Sequence, residues 1–301
     1  MIDGLAVVDK PAGMTSHDVV GRCRRIFGQK KVGHAGTLDP DATGVLLIGL
    51  GRATRLMQYM SGLAKSYTTS IVLGVSTTTL DAAGEVTGEW DMSAVSFGDA
   101  CRAATALTGV IRQVPPMVSA VKVGGRRLHE LARQGIEIER QPREVTVTRF
   151  ALAEPAGGWG SHPVLTAEVD CSSGTYIRVL AEDLGRALGG GAHVRDLRRT
   201  AVGPWSVTEA VPLEDLGPAH VRPPADALPW MPAVQVADGG METAVRHGRV
   251  LACDELGLSG PGPWRVLGPG GELLAVYEAH RPGLAKPRVV IGVEDPDQPG
   301  R

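Results

Sequence analysis

The sequence predicts an α+β protein in which a large N-terminal domain precedes a smaller module rich in strands. Apolar residues at 19–27 recur at helical spacing, whereas residues 67, 69, 71 and 73 fall on one face, as in a half-buried strand. A proline-rich segment at 217–229 precedes short apolar runs that Gly-Pro and Gly-Gly turns interrupt. We therefore expect a domain at 1–216, a linker at 217–229 and a β-rich module at 230–295.

The predicted N-terminal domain contains both helices and strands. In its first half the expected elements are a strand at 5–8, a helix capped by Thr15 or Ser16 and ending at Gly28, a buried strand at 45–50, a helix at 53–61, a strand at 67–73 and a helix at 97–108. In its second half they are a basic hairpin or loop at 122–127, a short helix at 128–132, strands at 145–147 and 165–169, a strand end at 175–179, a helix at 181–188 and a last strand at 197–202.

The composition is typical of a water-soluble globular protein, with 43% hydrophobic and 21% charged residues. The longest apolar runs are far too short to cross a bilayer, and the N-terminus shows no basic-then-apolar leader. Four cysteines are too scattered for a zinc site or a disulfide framework, and no other His, Cys and acidic residues have metal-ligand spacing. We therefore expect a cytoplasmic protein that holds no metal and does not bind membranes.

The net charge of −2 does not indicate a nucleic-acid partner, whereas the distribution of charge is more informative. From Arg102 to Arg149 there are nine basic residues and four acidic ones, and from Arg22 to Lys31 five basic residues occur without an acidic one. Lysine and arginine bind a phosphate backbone favourably because they displace condensed counterions. The asymmetry fits a phosphate-facing side and equally an ordinary solvated surface, so charge alone leaves both interpretations open.

The most informative segment is the glycine-rich acidic loop at 33–44, which leads directly into an apolar strand. Its glycines permit a close approach of backbone or ligand, and Asp39 stands near its centre. An Asp-Pro pair by itself is a common turn dipeptide. The loop therefore indicates chemistry only together with other parts of the chain.

Several further blocks occur in order between positions 5 and 202. They are LAVVDKPAGMTS from Leu5, GHAGTLDPDATGVLLIGLGRATR from Gly33, KSY from Lys65, GVSTTTLDAAG from Gly74, QVPP from Gln113, RQGI from Arg133, SGTYIR from Ser173, GAH from Gly191 and LRR from Leu197. Each block alone is a weak signal, but chance matches would not keep this order and spacing. In these blocks the chain resembles the TruB-type tRNA pseudouridine synthases, which isomerise uridine 55 in the T loop of tRNA.

The resemblance implies a fold and a partner. It implies a large mixed, mainly antiparallel sheet of two pseudo-repeated halves, and a C-terminal RNA-binding module similar to the PUA domain at 230–295. It also implies a mobile basic insertion at 122–143 that closes over the T loop, with Gly124-Gly125 as a hinge. The implied partner is the T stem-loop of tRNA, and no guide RNA or obligatory protein partner is expected. The reaction is redox-neutral and hydrolysis-free, so no cofactor is expected.

The resemblance assigns the chemistry at the sugar to two residues. Asp39 matches the carboxylate that engages the sugar as the base leaves, through either a covalent adduct at C1′ or removal of a sugar proton. Arg178 matches the partner that keeps this carboxylate charged and oriented. Arg178 stands at a predicted helix start, where the helix dipole does not favour a cation, and this also favours a carboxylate partner.

Other matched residues belong to the flipped base and to the RNA. An unstacked uracil favours an aromatic face, and Tyr67 matches the ring that stacks on it and the candidate acceptor of its C5 proton. Tyr176 matches a second tyrosine that orients the base, Leu197 an apolar wall of the pocket, and His34 the residue that takes the place of the base in the RNA stack. The candidate phosphate contacts are Lys10, Arg126, Arg127, Arg133, Arg198 and Arg199.

One position departs from the family pattern: Val118 stands where the family often has a tyrosine. Two other functions remain open at this stage. The first is that of the guide-RNA-dependent relative, which shares the aspartate motif but needs protein partners; the insertion at 122–143 favours stand-alone action instead. The second is a non-catalytic tRNA-folding factor, against which the joint presence of Asp39, Tyr67 and Arg178 argues.

Overall fold

The fold is known from a computed structural model that describes residues 1–117, 122–123, 126–127, 136, 138–155, 157–237 and 239–291. The strands of the N-terminal domain are β1 (Gly4–Lys10), β2 (Val32–Ala35), β3 (Thr43–Leu50), β4 (Lys65–Leu73), β5 (Val75–Thr77), β6 (Val86–Glu89), β7 (Gly109–Gln113), β8 (Lys122–Val123), β9 (Arg126–Arg127), β10 (Arg143–Ala153), β11 (Val164–Cys171), β12 (Ala192–Val202), β13 (Trp205–Ser206) and β14 (Val211–Pro212). The C-terminal strands are β15 (Ala233–Gln235), β16 (Leu251–Ala252), β17 (Trp264–Leu267), β18 (Leu273–Arg281) and β19 (Leu284–Val290). The α-helices are α1 (Ser16–Ile26), α2 (Met57–Ser61), α3 (Phe97–Ala106), α4 (Ile177–Ala187), α5 (Gly239–Arg246) and α6 (Cys253–Leu256).

One large sheet organises the N-terminal domain. Its order is β14-β1-β3-β12-β4-β11-β10-β7, with β2 paired to β3 and β13 paired to β12. Most of its pairs are antiparallel, and the exceptions are β1 with β14 and β12 with β3. The predicted α+β class with a large mixed sheet is therefore confirmed. The predicted basic hairpin at 122–127 corresponds to the antiparallel pair of β8 and β9.

Local sequence explains most of the elements. Thr15 caps α1 through a capping box with Asp18, and Val19, Val20 and Cys23 bury the inner face of this helix. In β4 buried and partly exposed residues alternate along the whole strand, as the sequence predicts.

Three predicted elements differ from the structure. The first half of the expected helix at 53–61 is a 3₁₀ segment, Gly51–Leu56, that precedes α2. The strand end expected at 175–179 is absent there, because α4 begins at Ile177 directly after an extended Tyr176. The last strand, β12, begins five residues earlier than expected and contains a bulge, at which Asp196 adopts a φ of 55°. The short helix expected at 128–132 and the hinge at Gly124-Gly125 lie outside the described residues.

Apolar clusters lie on both sides of the large sheet. Helices α3 and α4 pack on it through one cluster, which includes Ala104, Leu180 and Leu184, and α1 packs through another. Among the helices that the structure describes, none is both long and apolar enough to span a membrane.

The C-terminal module is a five-stranded sheet of order β15-β17-β18-β19-β16 with its own core. A further cluster joins this module to the large sheet, since Leu5 and Val45 share it with Val276 and Ile291. The predicted linker at 217–229 is packed rather than free: Leu5 and Arg222 exchange two backbone hydrogen bonds, and Ala227 and Leu228 are fully buried.

Candidate active site

The acidic loop that carries Asp39 connects two adjacent antiparallel strands, β2 and β3. It is anchored at Leu38, whose backbone N–H donates to the buried Ser16 hydroxyl at 2.8 Å. At its end Gly44 adopts a φ of 101°, and a Cβ there would stand 2.1 Å from the carbonyl oxygen of Arg199 on β12. Only glycine fits this conformation and this close approach, so the sequence places the end of the loop against β12.

Lys10, at the end of β1, also holds the loop. Its ammonium donates to the carbonyl oxygens of Pro11, Met14 and Pro40 at 2.8, 2.6 and 2.8 Å. The side chain is fully buried, and this burial lowers the pKa of Lys10 to about 8. The expectation that Lys10 contacts an RNA phosphate does not agree with this geometry, because the enclosed ammonium already binds three carbonyl oxygens.

Arg178, the second residue of α4, forms a two-pronged ion pair with Asp39. Its Nε lies 3.0 Å from Oδ2 and its Nη2 lies 3.2 Å from Oδ1 of the carboxylate. The arginine side chain is 4% exposed and that of Asp39 is 39% exposed, so the carboxylate can reach a ligand while the guanidinium remains enclosed. Burial raises the pKa of the Asp39 carboxyl, and the Arg178 charge opposes this rise.

A second carboxylate, Asp81, shares the same arginine. Its Oδ2 lies 3.3 Å from Nη1 of Arg178, and the same Nη1 donates to the carbonyl oxygen of Thr79 at 2.9 Å. The Thr79 hydroxyl in turn donates to Asp81 Oδ1 at 2.5 Å. Asp81 was not among the predicted site residues, although it is the acidic residue of the GVSTTTLDAAG block. Asp81 and Asp39 together fix the plane of the guanidinium.

Residues predicted to handle the sugar and the base come together around one cavity of about 220 Å³. Asp39, Tyr67, Arg178, Tyr176 and Leu197 all line it. Tyr67 lies on the central strand β4 and is largely buried, so a ligand reaches its ring from this cavity. The arrangement combines a carboxylate with an arginine partner, two aromatic rings and an apolar wall, as a site for an unstacked base requires.

The position of Tyr176 depends on Gln113 at the end of β7. The backbone N–H of Tyr176 donates to Gln113 Oε1 at 2.9 Å, and Gln113 Nε2 donates to the Tyr176 carbonyl at 3.3 Å. Gln113 is buried and opens the QVPP block of the sequence. This amide therefore fixes the start of α4, and with it the neighbouring Arg178.

Arg199 also lines this cavity, and its guanidinium does not face solvent. It is fully buried and donates to the carbonyl oxygens of Val45, Gly36 and Thr37. The expectation that Arg199 contacts a phosphate does not agree with this burial, because the guanidinium is bound by three carbonyl oxygens and is not presented at the surface to an RNA backbone.

The other candidate RNA contacts differ in their surroundings. His34 lies on β2, and its buried Nδ1 has no hydrogen-bond partner among the residues that the structure describes; burial lowers the pKa of His34. Arg198 is partly exposed and holds Asp9 in a two-pronged ion pair at 3.0 and 2.6 Å. The side chains of Arg126 and Arg127, and all of Arg133 and Val118, lie outside the described part of the chain.

A second cavity of about 230 Å³ borders the first. Asp39, Arg178 and Leu197 line both cavities, whereas Asp41, Asp81 and Asp196 line the second one. The ion pair between Asp39 and Arg178 thus forms part of the wall between them.

Two family models match adjacent parts of the chain. The TruB family pseudouridylate synthase N-terminal domain matches residues 24–177, and the tRNA pseudouridylate synthase B C-terminal domain matches residues 178–226. The first match alone covers more than half of the chain. The chain belongs to the TruB family of pseudouridylate synthases. It is therefore an enzyme of the isomerase class, as the resemblance implies.

Relatives of the TruB family match nearly the whole chain. A protein named tRNA pseudouridine synthase B from Thermobifida fusca (strain YX) is 46% identical, over 97% of this chain and 99% of that protein. Proteins of the same name from Symbiobacterium thermophilum and Arthrobacter sp. (strain FB24) are 51% and 44% identical, over 82% and 100% of this chain and of each relative.

Solved structures support the TruB-family fold. A chain from a structure titled "Crystal Structure of a Cbf5-Nop10-Gar1 Complex" superposes with a TM-score of 0.70 at 29% identity, covering 92% of this chain and 78% of that one. A chain from an H/ACA RNP bound to a substrate RNA containing 2′-deoxyuridine superposes with a TM-score of 0.72 at 24% identity, covering 97% and 86%. These two superpositions show that the overall fold of this chain is shared with the matched chains.

Proposed function

We propose that this enzyme isomerises uridine 55 to pseudouridine in the T loop of tRNA, acting without a guide RNA or an obligatory protein partner. The observation that carries the proposal is the single cavity lined by Asp39, Tyr67 and Arg178 together with Tyr176 and Leu197. The substrate follows from relatives at 44–51% identity that are named tRNA pseudouridine synthase B.

The reaction breaks the bond between N1 and C1′, turns the uracil, and joins C5 to C1′. Asp39 engages the sugar as the base leaves, because it supplies the carboxylate of the cavity lining and Arg178 binds both of its oxygens. Partial burial raises the pKa of Asp39 and so favours the neutral acid, which the Arg178 charge opposes. Arg178 stabilises the ionised form and fixes its direction.

The uracil lies in the cavity after it is flipped out of the folded T loop. Tyr67 stacks on the ring, Tyr176 orients it and Leu197 covers its apolar edge. His34, with its unpartnered buried Nδ1, fills the place of the flipped base in the RNA stack. Arg198, Arg126, Arg127 and Arg133 contact the phosphates, and the C-terminal module and the insertion at 122–143 extend the RNA-binding surface.

The guided and the folding-factor functions are less well supported. The relatives that match 82–100% of this chain carry the name tRNA pseudouridine synthase B, whereas the matched chain of the Cbf5-Nop10-Gar1 complex is 29% identical. A factor that only folds tRNA does not require a carboxylate held by a buried arginine at the bottom of a base-sized cavity.

Pseudouridine mapping on an unmodified tRNA transcript tests the proposal. Purified wild-type enzyme and the Asp39→Asn variant are compared without guide RNA or cofactor, on the natural transcript and on one with cytidine at position 55. Conversion at uridine 55 by wild type alone supports the proposal. Absence of conversion by wild type, together with tight tRNA binding, would contradict it and favour the guided or folding-factor function.

A further inference from the structure

Arg199 is a fully buried cation whose three hydrogen bonds reach two parts of the catalytic centre. Its Nε donates to the Val45 carbonyl at 2.7 Å, and its Nη2 and Nη1 donate to the carbonyls of Gly36 and Thr37 at 3.0 and 3.4 Å. Val45 belongs to β3, whereas Gly36 and Thr37 open the loop that carries Asp39. The guanidinium therefore clamps the start of the loop to the strand that follows it.

Arg199 also lies opposite Tyr67. The two residues are directly paired in the antiparallel register of β12 and β4, so their side chains leave the sheet on the same face. Both side chains are buried and line the cavity of about 220 Å³. Arg199 thus holds the start of the Asp39 loop and faces the same cavity as the tyrosine.

The electrostatic setting of Arg199 is unusual for an enclosed arginine. Within the part of the chain that the structure describes, no carboxylate lies at ion-pair distance from it. Backbone dipoles and the phenol oxygen therefore compensate its charge, and a negative charge on that oxygen would improve the compensation. Burial raises the pKa of the Tyr67 phenol, the guanidinium of Arg199 opposes this rise, and Cys171 and Asp39 are the other ionisable groups that face the phenol.

We propose that Arg199 is a positioning residue for the isomerisation: it fixes Tyr67 relative to the Asp39 loop and stabilises negative charge on the phenol oxygen during proton transfer. The inference rests on the proposed function. Formation of the bond from C5 to C1′ uses the electron pair of the uracil anion left by cleavage, so the ring then has a double bond between C6 and N1 while C5 still carries its hydrogen. The Tyr67 phenol gives its proton to N1, and the phenolate takes the proton from C5. The electron pair of the C5–H bond becomes the double bond between C5 and C6, and the pair of the C6–N1 double bond moves onto the protonated N1. One proton has moved from C5 to N1, and Tyr67 is neutral again.

The test uses single-turnover isomerisation by the full-length enzyme, with tRNA affinity measured separately. Arg199→Lys keeps the positive charge but loses the planar set of donors, so we expect the rate to fall about 10- to 100-fold while the Kd for tRNA changes less than about 2-fold. Arg265→Lys is the matched control, because Arg265 also donates to backbone carbonyls, those of Met231 and Ala225, in a part of the chain away from the cavity. This control is expected to keep the wild-type rate.

Two further measurements separate positioning from general structural damage. In a Tyr67→Phe background, Arg199→Lys should cost little more, because its effect acts through the phenol. An NMR spectrum of enzyme labelled with ¹³C at the phenol carbon of its four tyrosines reports on the phenols without turnover. The resonance of Tyr67 is assigned as the one that disappears in Tyr67→Phe. We expect Arg199→Gln to shift the Tyr67 resonance and Arg265→Gln to leave it unchanged.

The outcomes distinguish this inference from the proposed function. A wild-type enzyme that does not convert uridine 55 contradicts the proposed function, and the ¹³C signature still reports whether Arg199 sets the state of the phenol. An unshifted Tyr67 resonance in Arg199→Gln overturns the inference. If the wild type is active and Arg199→Lys is fully active, the inference is overturned as well. It is also overturned if Arg199→Lys lowers the rate equally in the wild-type and Tyr67→Phe backgrounds.

Discussion

Two buried arginines line the same cavity, and their partners differ in kind. Arg178 faces two carboxylates, Asp39 and Asp81, whereas Arg199 faces three backbone carbonyls and one phenol. An arginine between carboxylates keeps negative charge in place in the resting enzyme. An arginine whose charge is compensated by carbonyl dipoles and a neutral phenol is stabilised most when a neighbouring group becomes negatively charged during the reaction. The comparison separates a carboxylate side of the site, which holds the sugar chemistry, from a phenol side, which handles the proton.

The largest effect is expected from a substitution at the centre of the carboxylate side. Asp39→Asn removes the group proposed to engage the sugar but keeps its size, so we expect single-turnover isomerisation to fall on the order of 10⁴-fold or more. Affinity for tRNA, measured by filter binding at fixed salt, should stay within about 3-fold of wild type. A variant that retains full activity would exclude the carboxylate mechanism.

The next effect breaks the phenol side. Tyr67→Phe keeps the stacking ring and removes the oxygen proposed to accept the C5 proton, so we expect the single-turnover rate to fall about 10²- to 10⁴-fold. Tyr59→Phe is the control, because the Tyr59 hydroxyl contacts Glu278 of the C-terminal module rather than the cavity. Equal rates in the two variants would remove Tyr67 from the proton transfer.

A smaller effect is expected from the second carboxylate of the same side. Asp81→Asn takes one charged partner from Arg178 and loosens the guanidinium plane, so we expect the rate at neutral pH to fall about 10-fold. Asp81 also helps to raise the pKa of Asp39, whose ionised form the reaction needs. The acid limb of the pH–rate profile, which lies above the usual value of 3.8, should therefore move to lower pH. Asp41→Asn is the control for cavity lining, and a 10-fold loss there too would show that any carboxylate in this wall matters equally.

The smallest effect concerns a third arginine, which is partly exposed. Arg198→Ala should weaken tRNA binding by less than about 10-fold and reduce the slope of affinity against salt by about 1, because one phosphate contact is lost. Asp9→Asn should strengthen binding slightly, because it frees the guanidinium from its carboxylate. A binding curve insensitive to salt in the wild type would contradict a phosphate-facing surface altogether.

The sequence predicts the central residues on both sides of the site but not all the groups that hold them. Asp39, Tyr67, Arg178, Tyr176 and Leu197 were found because each lies in a short block of recognisable residues, and the structure brings them around one cavity. The sheet and α1 could be predicted because alternation, helical spacing and a capping box are local signals.

What the sequence could not predict depends on long-range packing. Lys10 and Arg199 resemble surface cations in sequence, since nothing local reveals that distant carbonyl groups enclose them. Asp81 was missed because its partner, Arg178, lies 97 residues away. The predicted start of α4 is too late because the backbone N–H of the extended Tyr176 donates to Gln113 at the end of β7, a contact that the local sequence does not reveal.

The shared apolar cluster between the large sheet and the C-terminal module has a consequence for folding. Leu5 and Val45 pack with Val276 and Ile291, and Arg52 and Arg55 donate to the carbonyls of Ile291 and Val290 at 2.7 and 2.9 Å. One face of β1 and β3 is thus covered by residues of the C-terminal module. We therefore expect the catalytic domain to complete this part of its core only when the module has docked, and a chain cut after residue 226 to expose an aggregation-prone apolar face.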